Sequence, residues 1–435
     1  MGTHKGENDG GFSCSAEQLS FTPNALARGT QKGTEMEERS PIAKSAIIED
    51  DQWDTALQRA LAQVGDIAAD LVFLFASDIY AEHFPEMIRR VRTETGARVL
   101  IGCSGQGIVG RGLELEDVPA LSLLALSLPD ASLQAIRFTP ELITNCTQPE
   151  EWHKRLSLKP DDVNAFLIFA DPFQTDSERL IDVLSCAYPD VPILGGLASG
   201  DFEERCTYIF CDDNVYEDGA IGLAVGGEYT LFPLLSQGCE PIGEPWTITK
   251  VRNKNLITTI SNRPAFALLV DTLDELSPEL QRRARRNLLV GLAADEYSPT
   301  LERGSFLIRQ LIGIDRHTGA LAIGAMPRQG QTIQFQMRDA MTADLDLREL
   351  LILSKVELAG REPVGAILCT CNGRGLNMFG EPHHDAKLIA QEFASLPVAG
   401  LFCSGEIGPV GKRSFLHGFT ASLALIVKRN FVGLF

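Results

Sequence analysis

Short continuous apolar runs alternate with stretches of helical period along most of the chain. The run LVFLF at 71–75 is followed by Phe84, Met87, Ile88 and Val91 on one helical face, then by a second run at 99–101 that enters Gly102-Cys103-Ser104-Gly105. The pattern returns at 165–169, with Leu180, Ile181, Val183 and Leu184 on a helix and a run at 191–194 entering Gly195-Gly196-Leu197-Ala198-Ser199-Gly200. It returns again at 364–368, with a helix around 385–393 and a run at 398–402 that ends in Cys403-Ser404-Gly405-Glu406. Each copy predicts strand, helix, strand. Strands apolar on both sides are buried on both faces, so each unit makes a right-handed parallel crossover. A further helix is predicted at 51–64, and one at 279–289 opened by Ser277 as N-cap and Pro278 at its first position. Residues 207–210 and 220–225 read as one hairpin across Asp212-Asp213-Asn214, and 306–314 with 320–323 as another.

These elements predict an α/β chain of two related lobes, each a mixed sheet with crossover helices and antiparallel hairpins, meeting between 226 and 243. The domain reading is a disordered tail at 1–48, an N-terminal domain at 49–235, a C-terminal domain at 236–427 and a short end at 428–435. The tail is assigned because no apolar period appears before Trp53.

Composition narrows the function. A net charge of −19, from 39 basic and 58 acidic residues, argues against nucleic acid and anionic membranes as partners. The longest apolar run, 118–128, is far short of the roughly twenty residues a spanning helix needs. Ten cysteines without a spacing framework, and no secretory signal, read as reduced thiols in the cytoplasm. No metal set, phosphate loop or G-x-S-x-G elbow stands out, so no cofactor, metal site or catalytic residue is assigned.

The densest polar cluster lies near the end. Cys371-Asn372-Gly373-Arg374-Gly375 follows one predicted strand, Cys403-Ser404-Gly405-Glu406 closes the next, and His417-Gly418-Phe419-Thr420 comes after. Ligands of open α/β sheets bind beyond the carboxyl ends of strands. There, Arg374 suits a carboxylate and Glu406 an ammonium, which together describe a zwitterion; the alternative is that Arg374 only pairs structurally with Asp385 or Glu406.

These motifs, with Gly195-Gly196-Leu197-Ala198, Asp218-Gly219-Ala220, Ser236 to Gly243, Phe306-Leu307-Ile308-Arg309 and Phe335 to Asp339, resemble the FIST family of paired N- and C-terminal domains. The resemblance runs from about 71 to 425. It implies a cytosolic sensory module for signal transduction that binds a small ligand such as an amino acid, with a separate signalling output protein as a partner. The family's Asp-Gly before Pro-Ala is replaced here by Asn262-Arg263. Two alternatives stand beside the sensor: a hydrolase or transferase using a Cys/Ser–His site in the C-terminal lobe, and a protein-interaction scaffold. The ligand site is assigned to Asn372, Gly373, Arg374, Gly375, Cys403, Ser404, Gly405, Glu406 and His417. Cys103, Ser104 and Gly105 form a second candidate, expected at the position equivalent to 403–405.

Overall fold

In the computed structural model, the described residues are 40–429 except 202, 297–299 and 302–303. Three copies of one unit account for most of them. The first is β1 (Ile42–Glu49), α1 (Trp53–Val64), β2 (Leu71–Ser77), α2 (Phe84–Thr95), β3 (Val99–Gly105), the hairpin β4 (Gly107–Gly110) and β5 (Leu113–Glu116), and β6 (Ala120–Ser127). The second is β7 (Ala131–Phe138), α3 (Pro140–Asn145), α4 (Pro149–Leu156), β8 (Ala165–Ala170), α5 (Ser177–Ala187), β9 (Ile193–Leu197), the hairpin β10 (Ile209–Cys211) and β11 (Asn214–Tyr216), and β12 (Ala220–Gly227).

The third unit opens with β13 (Tyr229–Ser236) and is then interrupted. The insertion holds β14 (Glu240–Arg252), β15 (Leu256–Ile260), β16 (Arg263–Pro264), α6 (Ala265–Asp274), α7 (Pro278–Ala284), β17 (Leu288–Ala293), β18 (Phe306–Asp315), β19 (Ala320–Ile323) and β20 (Thr332–Met337). The unit resumes with α8 (Ala340–Glu357), β21 (Gly365–Cys371), α9 (Leu376–Phe379), α10 (His384–Glu392), β22 (Val398–Cys403), the hairpin β23 (Glu406–Val410) and β24 (Arg413–His417), and β25 (Ala421–Lys428).

In each unit the two crossover strands pair in parallel and the closing strand returns antiparallel. The hairpin does not stay with its own sheet. β4–β5 extends the third sheet beside β22, β10–β11 extends the first beside β3, and β23–β24 extends the second beside β9. Three six-stranded mixed sheets result, related by a cyclic exchange of hairpins. Their inward faces share one core, to which β2 gives Phe73 and Phe75, β8 Leu167 and Phe169, and β21 Ile367 and Cys369. Helices cover the outward faces: Val72 and Leu74 of β2 pack under α1 and α2. This two-sided burial is why the crossover strands read as unbroken apolar runs. The seven-stranded insertion has its own core, around Ile248, Leu268, Val290 and Phe335.

The mixed α/β organisation in two halves therefore holds, with two repeats in the first half and one repeat plus the insertion in the second. Three expectations change. Residues 42–49 are strand β1, paired with β6, so the tail reading fails for them, while residues 1–39 lie outside the described residues. Residues 207–210 and 220–225 do not pair together, because β10 joins β3 and β12 joins β7 and β8. The helix expected to 289 ends at Ala284, where Leu288 starts β17 between β18 and β20. The Ser277 cap is present, its Oγ accepting from Leu280 N at 3.3 Å. Among the described residues no helix is long and apolar enough to cross a membrane.

Candidate functional site

Asn372 follows β21, Ser404 follows β22, and β23 pairs with β24 so that Glu406 stands opposite His417. Asn372 N donates to Cys403 O at 3.0 Å, and Cys403 Sγ lies 3.5 Å from Glu406 Oε1. The strand ends thus bring Asn372, Cys403, Glu406 and His417 together, as the crossover topology requires.

The chemistry departs from the sequence reading first at Arg374. Arg374 is fully buried, and its Nε and Nη2 donate to Asp385 at 2.7 and 2.9 Å. Asp385 also accepts from Thr370 and meets His384, whose other ring nitrogen meets Asp344. Burial alone would raise the Asp385 carboxyl, but the Arg374 guanidinium and His384 together offset it and hold the group well below its usual range. Arg374 is the cation of a buried network, so the role of carboxylate clamp does not fall to it. The same network reaches the first repeat through Glu114, which accepts from Ala386 N at 2.8 Å and is raised to about 8 by burial and by Asp385. Gly375 serves this junction too, with its φ of +72° and Glu116 directly beside it.

Glu406 is fully buried and accepts from Thr420 N and Oγ1 at 2.9 and 2.8 Å. Burial pushes it up to about 7. His417 Nε2 lies 3.0 Å from Gly408 O, and burial lowers its pKa to about 4, leaving a neutral imidazole. The thiols are protonated: burial drives Cys403 well above its usual value and Cys371 to about 12. Asn372 Oδ1 and Nδ2, Ser404 Oγ and Arg374 Nη1 are buried without a hydrogen-bond partner among the described residues, which is uncommon enough to mark this floor.

Cys103 is not in a separate lobe site. It faces the same central core as Cys369 and Cys403, and Ser104 Oγ donates to Ser199 O at 2.9 Å. Nor are the two Cys-Ser pairs equivalent. Gly105 stands opposite Ser77, and Cys403 opposite Cys371, so Cys403 occupies the position of Gly105, two residues beyond Cys103.

The open space nearby is a cleft of about 220 Å³ between the third repeat and the inserted sheet. His417, Gly418 and Phe419 form one side and Leu289, Ile308, Arg309 and Gln310 the other, with Glu178 at the rim. Arg309 Nη2 is 4.0 Å from Glu178 Oε1, and its side chain is only 17% exposed. Phe419 holds a φ of +66°, a costly conformation for a bulky residue. It is wedged against Gly373, and Arg338 lies 3.7 Å over its ring while donating to its carbonyl at 3.1 Å. Arg309 and Glu178 were missed as site residues because they come from the insertion and from another repeat. Only the Phe-Leu-Ile-Arg motif at 306–309 pointed to one of them.

Among the described residues, nine cysteines are free thiols, and no group of three or more His, Cys, Asp or Glu is placed to hold a metal.

A FIST N domain matches residues 70–263 and a FIST C domain residues 265–409. An uncharacterised Mycobacterium tuberculosis protein is 37% identical over 361 residues, 82% of this chain and 91% of its own. An uncharacterised Mycobacterium bovis protein is 34% identical over 388 residues, 89% of this chain and 97% of its own. Among solved structures, a cyanuric acid hydrolase from A. caulinodans aligns over 90% of this chain and all of its own, at 9% identity and a TM-score of 0.35.

Proposed function

The chain belongs to the FIST family, and from that premise we propose that it is a sensory module binding a small zwitterionic metabolite, an amino acid or a close relative, in the cleft between the third repeat and the inserted sheet. FIST domains are associated with sensory roles in signal transduction. The observation that carries the ligand class is the pairing of Arg309 and Glu178 on one cleft, 4.0 Å apart beside apolar Leu289, Ile308, Leu416 and Phe419. A guanidinium and a carboxylate at that spacing can exchange each other for the carboxylate and ammonium of one ligand. The volume lies below the roughly 300–1,000 Å³ of sites for drug-sized ligands, which favours a metabolite of amino-acid size. The neutral His417 offers a hydrogen bond without a second charge.

A thiol nucleophile gains little support. Cys403 is fully buried and protonated, and His417 is turned to Gly408 O.

A thermal-shift screen of the amino acids, followed by calorimetry, tests the reading, because a ligand of the native state raises the midpoint. Arg309→Gln is expected to weaken the selected ligand by about 1.5–3 kcal/mol, the range for a hydrogen bond to a charged group. If no amino acid shifts the midpoint, or if Arg309→Gln binds as the parent does, the proposal falls.

A further inference from the structure

Arg338 stands just beyond β20, two residues after Gln336, which pairs opposite the cleft residue Leu289. Among the described residues its side chain makes one hydrogen bond, from Nη1 to Phe419 O at 3.1 Å, and no ion pair. Its Nε and Nη2 are left without partners there, although burial is strong enough to lower its pKa. Guanidiniums withdrawn from water are normally paired with an anion. Glu406 acts on Arg338 only at longer range, and its oxygens are taken by Thr420 and Cys403.

The cleft is the open space beside this cation. Phe419 lines the cleft, and Arg338 lies 3.7 Å over its ring, so the guanidinium stands one aromatic ring away. The same ring touches Gly373, whose neighbour Asn372 has both amide atoms buried and unpartnered among the described residues. Phe419 holds its strained φ of +66° at this point, and residues under such strain cluster at ligand sites.

The charges form a set. Arg309 and Arg338 supply two guanidiniums, Glu178 supplies one carboxylate, and His417 is neutral. An amino acid with an uncharged side chain offers one carboxylate and one ammonium, and leaves Arg338 unmatched. An acidic amino acid offers two carboxylates and one ammonium, the complement of all three groups.

We propose that the cleft selects an amino dicarboxylate of the aspartate and glutamate kind, a selection that rests on the amino-acid binding proposed above. Arg309 holds the α-carboxylate, Glu178 the ammonium, and Arg338 the side-chain carboxylate once the Phe419 ring turns aside. Arg338 is then the residue that determines specificity. Its free Nε and Nη2 are a parallel donor pair that fits a carboxylate, the same pair by which Arg374 holds Asp385.

Calorimetry on the full chain with glutamate, aspartate, glutamine and asparagine tests this, because acid and amide differ by one charge in nearly the same shape. The parent is expected to bind the preferred acid at least about tenfold tighter than its amide. Arg338→Gln is expected to weaken the acid at least about tenfold more than the amide. Arg309→Gln should weaken both alike, since both carry the α-carboxylate. General damage around Phe419 would lower acid and amide together, and circular dichroism confirms that each variant is folded. Equal affinity for acid and amide in the parent overturns the proposal and leaves amino-acid sensing standing. So does a preference that survives Arg338→Gln, or binding of a neutral amino acid when neither acid binds. If no amino acid binds, both proposals fall.

Discussion

Glu406 is a carboxylate buried without a cation bonded to it among the described residues: its hydrogen bonds come from Thr420 and Cys403. Its folded pKa of about 7 stands above the ordinary 4.5, so between those values the folded state keeps a proton that the unfolded chain has released. Stability is therefore fully present below the unfolded pKa and falls as pH rises through 7, by about 3 kcal/mol in all. Glu406→Gln removes that titration. The stability of the variant relative to the parent should rise by about 3 kcal/mol between pH 4.5 and 8 in urea unfolding; a flat difference would exclude the titration. Arg374 behaves in the opposite way. Arg374→Met leaves Asp385 buried without its cation, and the expected loss is about 3–5 kcal/mol in denaturant unfolding. Arg374→Met/Asp385→Leu should cost less than the sum of the single changes, because it removes both charges. Additive losses would mean that the pair is not coupled. The residues of this floor were legible in sequence, since strand ends gather small and polar side chains. Asp385 was legible as one structural partner of Arg374, but Thr420 was not legible as the partner of Glu406, because it comes from a hairpin end and the contact does not follow from spacing.

At the scale of elements, the parallel strand pairs depend on glycine at one repeated position. Gly102, Gly195 and Gly400 face Leu74, Ile168 and Leu368, and a Cβ on each would lie 1.7, 1.9 and 2.0 Å from the carbonyl oxygen opposite. A backbone oxygen cannot step aside as a side chain does. Gly400→Ala should therefore force β21 and β22 apart and cost more than the roughly 1–3 kcal/mol of ordinary overpacking. Gly313→Ala, with nothing within 4 Å, should be tolerated. Thermal melts of the two variants compare them directly, and equal midpoints would show that the close approach is not needed. The crossover strands were legible because burial on both faces gives an unbroken apolar run. Helix α8 was not, for a related reason: Leu347 and Leu351 on one side and Leu345 and Ile352 on the other blur the single apolar stripe by which a helix is recognised. The mispaired residues at 207–225 show a different limit. Alternation identifies a strand, but the neighbour of β10 is β3, about a hundred residues away, and nothing local records that.

For the whole molecule, the exchange of hairpins decides what can fold alone. The three repeats are visible in the sequence as recurring units, yet each hairpin is built on the sheet of another repeat. A cut at Glu228 would separate the two halves between β12 and β13. It would leave β9 without β23, β22 without β4, and the central core with residues from only one or two of its three sheets. An exposed strand edge and an opened core both favour association over folding. Residues 40–227 and 229–429, expressed separately, should thus show no cooperative thermal transition. Produced together they should recover one, with near-ultraviolet dichroism like that of the intact chain. The intact chain should melt its three repeats in a single step, since no repeat owns a complete sheet. The insertion is the element able to depart from this, because its sheet and core are its own. A sharp melt of residues 40–227 alone would show that the N-terminal half is self-sufficient, and that the exchanged hairpins decorate the sheets without closing them.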